Sequence, residues 1–134
     1  MGQVIDTCVW IDHLRSGTPV ATRAMADTAI NGADALLCEP IRFELLYGAS
    51  RRERPLLLRR LETMPLLATP ERLWSVASDL ATAACDAGLR LPSVDLLIAA
   101  TCIHNDAVLT TFDAHFGKLA KLSRLRVNLL VRPA

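Results

Sequence analysis

The chain has 134 residues, half of them hydrophobic and few aromatic, with a net charge of +1. That suits one domain over residues 1–134 with a core of Leu, Ala, Val and Ile, and the charge alone names no polyanionic partner. No membrane span is expected, since the longest apolar run, Val94 to Ile103, is broken by Asp95 and falls far short of the ~20 residues a bilayer needs. No secretion signal is expected, since Val4-Ile5 is already strand-like.

In chain order, Val4-Ile5 reads as a short strand ending at Asp6. Thr7 to Leu14 reads as a helix closed by Ser16-Gly17. Pro19 opens a second helix, which runs to about Ile30 and stops at Asn31-Gly32. Ala35 to Cys38 is a second strand. Pro40 then suits the first position of a third helix, where its missing N–H costs nothing, and that helix ends near Gly48. Glu53 to Met64 is a fourth helix, and Leu66 to Ala68 a third short strand. Pro70 begins the longest helix, which ends at Ala87-Gly88. Ser93 caps a helix from Val94 to His104, and Ala107 to Thr110 is a fourth strand. Ala114 to Ala120 is a short helix, and Arg126 to Leu130 the last strand. Strands alternating with helices predict an α/β fold. Right-handed crossovers make the sheet parallel and covered on both faces.

Four carboxylates hold special places in that order: Asp6, Glu44, Asp95 and Asp113. In open parallel sheets, ligands bind outside the carboxyl ends of the strands. Asp6 and Asp113 lie just beyond strands one and four. Glu44 lies about one turn into the helix that leaves strand two. Asp95 opens a helix that runs antiparallel to the strand after it, so its start is at the same edge. Like charges brought together raise one another's pKa, and a divalent cation relieves this. Magnesium takes one or two protein carboxylates and keeps several waters or phosphate oxygens. Asp6 and Asp95 are the expected main ligands. Asp113 would assist or hold a second ion, and Glu44 would be a ligand or general base. Each acid alone also fits a plainer role: Asp6 and Asp113 as N-caps, Asp95 as a first-turn acid, Glu44 as half-buried beside Arg42.

Other constellations are missing or open. The four cysteines, at 8, 38, 85 and 102, show no C-x-x-C spacing, so reduced and mostly buried thiols in the cytoplasm are expected. No G-x-G-x-x-G follows a strand, and no H-E-x-x-H pairs the histidines. The first strand is followed by Asp6-Thr7-Cys8, not D-x-D. Both lysines, 118 and 121, precede the last strand, against a receiver-type domain. Thirteen of the fifteen Lys and Arg residues are Arg, and Arg forks onto phosphate well. The densest run is Arg51-Arg52-Glu53-Arg54 with Arg59-Arg60, readable as an RNA-tracking face, a solvated helix face or a surface for an acidic partner segment. Trp10 could stack on a base or belong to the core, and His115 could touch substrate or only the surface. Leu56, Leu57, Leu58, Leu61 and Met64 exceed one buried stripe, readable as a partner groove, a dimer contact or ordinary core burial.

Val4-Ile5-Asp6-Thr7, Glu44-Leu45-Leu46-Tyr47-Gly48, Asp95-Leu96-Leu97-Ile98-Ala99-Ala100 and Leu109-Thr110-Thr111-Phe112-Asp113-Ala114-His115-Phe116 resemble the successive blocks of a PIN-domain ribonuclease. The resemblance is to the VapC-type toxins of toxin–antitoxin pairs and covers nearly the whole chain. It implies a three-layer α/β/α sandwich with a central parallel sheet of four to five short strands. It implies a magnesium- or manganese-dependent endoribonuclease, a homodimer, and inhibition by a small DNA-binding antitoxin. Asp6, Glu44, Asp95 and Asp113 would form the metal pocket, supported by the hydroxyl of Thr110. Cys8 stands where such proteins usually carry Ser or Asn, and its thiol would support Asp6 more weakly. The other reading is a catalytically silent RNA-binding or assembly module of the same fold.

Overall fold

The computed structural model describes residues 2–134. Its strands are β1 (Gln3–Ile5), β2 (Ala35–Leu36), β3 (Val108–Thr111) and β4 (Arg126–Leu129). Its helices are α1 (Thr7–Leu14), α2 (Val20–Ile30), α3 (Glu39–Gly48), α4 (Arg54–Glu62), α5 (Leu73–Asp86), α6 (Ser93–His104) and α7 (Ala114–Ala120). The sheet order is β2-β1-β3-β4, and every pairing is parallel. From β1 the chain first builds outward to β2, then returns past β1 to β3. The junction of β1 and β3 is therefore the topological switch point, where open α/β sheets bind ligands at the carboxyl edge.

Helices cover both faces of the sheet. Adjacent strand residues point to opposite faces, yet Val4, Ile5, Leu109, Thr110 and Thr111 are all buried. The core continues into α6, where five successive residues, Ile98 to Cys102, are buried. A helix apolar on all sides belongs inside, and this one leaves Asp95 as the acid of its first turn.

The expected strand at Leu66 to Ala68 is reduced to one parallel bridge, Leu37 to Leu66. Leu37 N–H donates to Pro65 O and Leu67 N–H to Leu37 O, both at 2.9 Å. Pro65 has no N–H to extend the ladder backward. The longest helix starts at Leu73, three residues after Pro70, because Pro70 to Arg72 form a preceding turn. Cys38 and Cys102 are buried and Cys8 is half-buried, but Cys85 is exposed, on the outer side of α5. Among the described residues no helix is long and apolar enough to cross a membrane.

Trp10 belongs to the core. It is fully buried, with the His13 ring edge-on at 6.1 Å and the Arg60 guanidinium 5.7 Å from its ring centroid. Arg60 also reaches Asn31 Oδ1 and Thr63 Oγ1, each at 3.2 Å. It is thus a packing residue and not part of a free basic face. Trp10→Ala is expected to lower stability by about 3–5 kcal/mol, as for other large aromatic truncations. Urea unfolding measures this, and a loss below about 1 kcal/mol would place Trp10 outside the core.

Candidate metal centre

β1 ends at Ile5 and α1 begins at Thr7, so Asp6 sits at the corner between them as the N-cap. Its Oδ1 accepts Thr7 N–H at 2.8 Å. Its Oδ2 accepts the Thr111 hydroxyl at 2.7 Å and the Cys8 thiol at 3.3 Å. Burial pushes the Asp6 carboxyl above its ordinary value, and the charge of Asp113 pushes the same way. Hydrogen bonds from Thr111, Cys8 and Thr7 oppose the rise. The Cys8 thiol is itself pushed up to about 11, by burial first and then by Asp6. It therefore stays protonated at neutral pH and remains a donor to Asp6, though a weak one.

Thr110 was the hydroxyl expected to support the pocket, and the hydroxyl that reaches Asp6 is that of Thr111. Thr110 Oγ1 donates to Gln3 Oε1 and lies 3.5 Å from Asn128 Nδ2. Thr110 meets Asp6 only through its backbone, accepting Asp6 N–H at 2.9 Å. The two threonines are neighbours on a strand, so they face opposite ways, and only Thr111 faces Asp6. Thr111 Oγ1 also accepts Asp113 N–H at 2.9 Å. One hydroxyl thus joins the start of α1 to the turn that carries Asp113.

Asp113 caps α7. Its Oδ1 accepts both His115 N–H and the His115 ring Nδ1, each at 2.9 Å. Glu44 lies in α3, and its Oε1 accepts the Thr7 hydroxyl at 2.7 Å. Thr7 is a supporting residue that the pattern of acids did not single out.

Asp95 is half-buried in the first turn of α6. Its pKa is raised to about 6, by burial first and then by the charges of Asp6, Glu44 and Asp113, with His115 pulling it down. The helix start favours the anion, but burial and three like charges outweigh it. The charges of Asp6, Glu44 and Asp113 all reach Asp95, so these acids from three other segments lie within electrostatic range of it. Among the described residues, nothing donates a hydrogen bond to the Asp95 carboxylate.

Among the described residues, no three Asp, Glu, His or Cys side chains close into a ready-made metal cage. The donor chemistry still fits a hard divalent cation. Three carboxylates act on a fourth, Asp95, which is half-buried without a donor. Magnesium or manganese needs only one or two of them and keeps the rest of its shell for water or phosphate. A zinc cage is not what these residues build. Taking the four pocket acids out of a chain of net +1 leaves a body of net +5 around them.

Two further surfaces involve α3 and α4. Arg51, Arg52 and Arg54 are exposed on the connection from α3 into α4. There Ser50 and Glu53 exchange bonds at 2.9 and 3.2 Å as a capping box. A groove of about 700 Å³ has Ile11, Leu14, Glu44, Leu45, Leu56 and Leu57 among its lining residues. Leu57 and Leu61 are core residues, whereas Leu56 is 70% exposed.

A sequence profile of the PIN domain matches residues 4–122. The chain is 35% identical over 115 residues to Ribonuclease VapC19 of Mycobacterium tuberculosis, covering 85% of this chain and 91% of that protein. It is 31% identical over 127 residues to Ribonuclease VapC11 of the same organism, covering 92% and 95%. Among solved structures, VapBC2 from Rickettsia felis bound to a promoter DNA fragment superposes with a TM-score of 0.74 at 17% identity, over 97% of this chain and 99% of that one. VapBC-5 from Mycobacterium tuberculosis gives a TM-score of 0.70 at 21% identity, over 96% and 98%. At these identities the two structures establish the shared fold.

Proposed function

The chain belongs to the PIN domain family, among its VapC-type members, and on that premise we propose that it is the endoribonuclease toxin of a toxin–antitoxin pair. One observation carries the reading: where β1 meets α1, Asp6 is tied through the Thr111 hydroxyl to the turn that carries Asp113, and both charges, with that of Glu44, bear on the half-buried Asp95. Four anions facing one another have no use in a protein that only binds a polyanion. They suit a site that takes a cation first and a phosphate backbone second.

Asp6 and Asp95 would hold magnesium or manganese, with Asp113 beside them. When bound, such an ion supplies positive charge to the phosphodiester oxygens and makes water more acidic. The protein's own part is positioning. Thr111 and Cys8 fix Asp6 Oδ2. Thr7 fixes Glu44, which can then accept a proton from the attacking water. Arg51, Arg52 and Arg54 offer phosphate contacts along the RNA. The test is incubation of the purified protein with total RNA, with magnesium, manganese or chelator, and mapping of the new ends. Defined ends that appear only with metal support the reading. Tight RNA binding that ignores metal and yields no product would instead mark a silent binding module.

The partner would be a small DNA-binding antitoxin that lays an apolar segment along the groove beside Glu44. Leu56→Asp is expected to weaken that complex at least tenfold without lowering RNA cleavage, as a central apolar contact does. Calorimetric titration with a candidate antitoxin protein measures it. Unchanged affinity would move the contact elsewhere. The homodimer implied by the resemblance has an exposed apolar surface available on α3, where Phe43 and Tyr47 stack 6.0 Å apart at 6°.

A further inference from the structure

We propose that Arg132 is a positioning residue for the pocket, holding the helix that follows Asp6 against the turn that carries Asp113; its catalytic consequence rests on the ribonuclease reading above. Beyond β4 the chain stays in register for one more residue, with Leu130 N–H donating to Thr111 O at 2.7 Å. The next residues therefore pass the carboxyl edge of the sheet, beside the pocket. There Arg132 donates from Nε and Nη2 to Asp12 Oδ2, at 3.0 and 2.9 Å. Its guanidinium carbon also lies 4.3 Å from the centroid of the Phe112 ring.

The two partners belong to the two segments that the pocket must keep together. Asp12 is in α1, which begins directly after Asp6, and its side chain is only 16% exposed. Phe112 stands between Thr111, which binds Asp6, and Asp113. At the pocket, the side-chain tie between these segments runs through the Thr111 hydroxyl. That tie, the backbone bond from Asp6 N–H to Thr110 O and the contact of the Cys8 thiol with Thr111 Oγ1 all lie at the start of α1. Arg132 adds a tie farther along α1 and so fixes the angle at which Asp6 meets Asp113. The arrangement needs arginine: a planar guanidinium can stack on Phe112 while it forks onto Asp12, and a lysine ammonium cannot do both. As a half-exposed ion pair it adds little to stability, so its effect belongs to geometry.

The test compares the parent with Arg132→Ala, Arg132→Lys, Asp12→Asn and the Arg132→Ala/Asp12→Asn double variant. It measures kcat and KM on one RNA, and Mn²⁺ affinity by calorimetry without RNA. Partners that orient a metal ligand are typically worth 10–100-fold. Arg132 acts one step further out, so Arg132→Ala is expected to lower kcat and Mn²⁺ affinity about three- to tenfold, with KM within about twofold. Arg132→Lys should recover only part of this. Asp12→Asn should match Arg132→Ala, and the double variant should be no worse than either. The proposal is overturned if Arg132→Ala keeps the parent's kcat and Mn²⁺ affinity, if its loss is confined to KM, or if the two single losses add. If the parent cleaves no RNA but Arg132→Ala still weakens Mn²⁺ binding, the clamp stands and the ribonuclease reading fails.

Discussion

Asp95→Asn is expected to abolish RNA cleavage, by at least about a thousandfold, the scale on which losing a central charge-stabilising group acts. The same change should raise the melting temperature in chelator by roughly 3 °C. The two effects have one cause. Asp95 is kept half-buried among three other acids with no donor of its own, which costs the metal-free fold stability. The asparagine removes that repulsion and the proposed metal ligand together. A variant that unfolds would give the opposite thermal shift, so inactivity with a higher melting point cannot come from a broken fold.

The sign with pH follows from the same group. Asp95 titrates near 6 in the folded chain and near 3.8 when its environment is lost. Between those values the folded state keeps a proton that the unfolded state has released. Stability of the metal-free protein therefore falls as pH rises from about 4 to about 6 and then levels, as far as this group is concerned. The slope is modest because Asp95 is half-exposed and water screens it. Asp95→Asn should flatten that limb of the curve. Metal binding runs the other way: the ion competes with the proton, so affinity should fall as pH drops through 6. Thermal melts from pH 4 to 8, with and without Mn²⁺, separate the two trends.

Thr111→Val is expected to reduce cleavage about 10–100-fold, the usual loss when the partner orienting a metal ligand is removed. It takes a donor from Asp6 Oδ2 and an acceptor from Asp113 N–H at once. Thr110→Val, one residue away, should stay within about threefold of the parent, because its hydroxyl serves Gln3 on the other face of the strand. Valine matches threonine in shape, so both variants should fold. Equal losses at the two positions would contradict the assignment of the pocket hydroxyl to Thr111.

The contrast between these threonines marks what was legible in the sequence. Asp6 and Asp113 could be placed because each lies just past a strand, and strand ends are visible as breaks in apolar runs. Glu44 and Asp95 followed from helix direction alone. The choice between Thr110 and Thr111 depends on the parity of β3, where a shift of one residue exchanges the faces, and Leu109-Thr110-Thr111 offers no polar alternation to fix it. Thr7 was missed because its hydroxyl bond to Glu44 spans 37 residues and belongs to no local pattern. The strand at Leu66 was overestimated because an apolar run signals burial, while Pro65 decides how far the ladder extends. Arg60 looked like one more member of a basic run. Only tertiary packing commits it to Trp10 and Asn31.

The central claim is that four acids from four segments make one cation site that serves RNA cleavage. The most direct test is calorimetric titration of Mn²⁺ into the parent protein, Asp6→Asn and Asp95→Asn at pH 7.5, with cleavage of one RNA followed at the same metal concentrations. The account predicts that the parent binds Mn²⁺ and that its cleavage tracks site occupancy, whereas each variant binds at least about tenfold more weakly and yields no product. Equal Mn²⁺ affinity in all three proteins, or cleavage that persists in chelator, would contradict it.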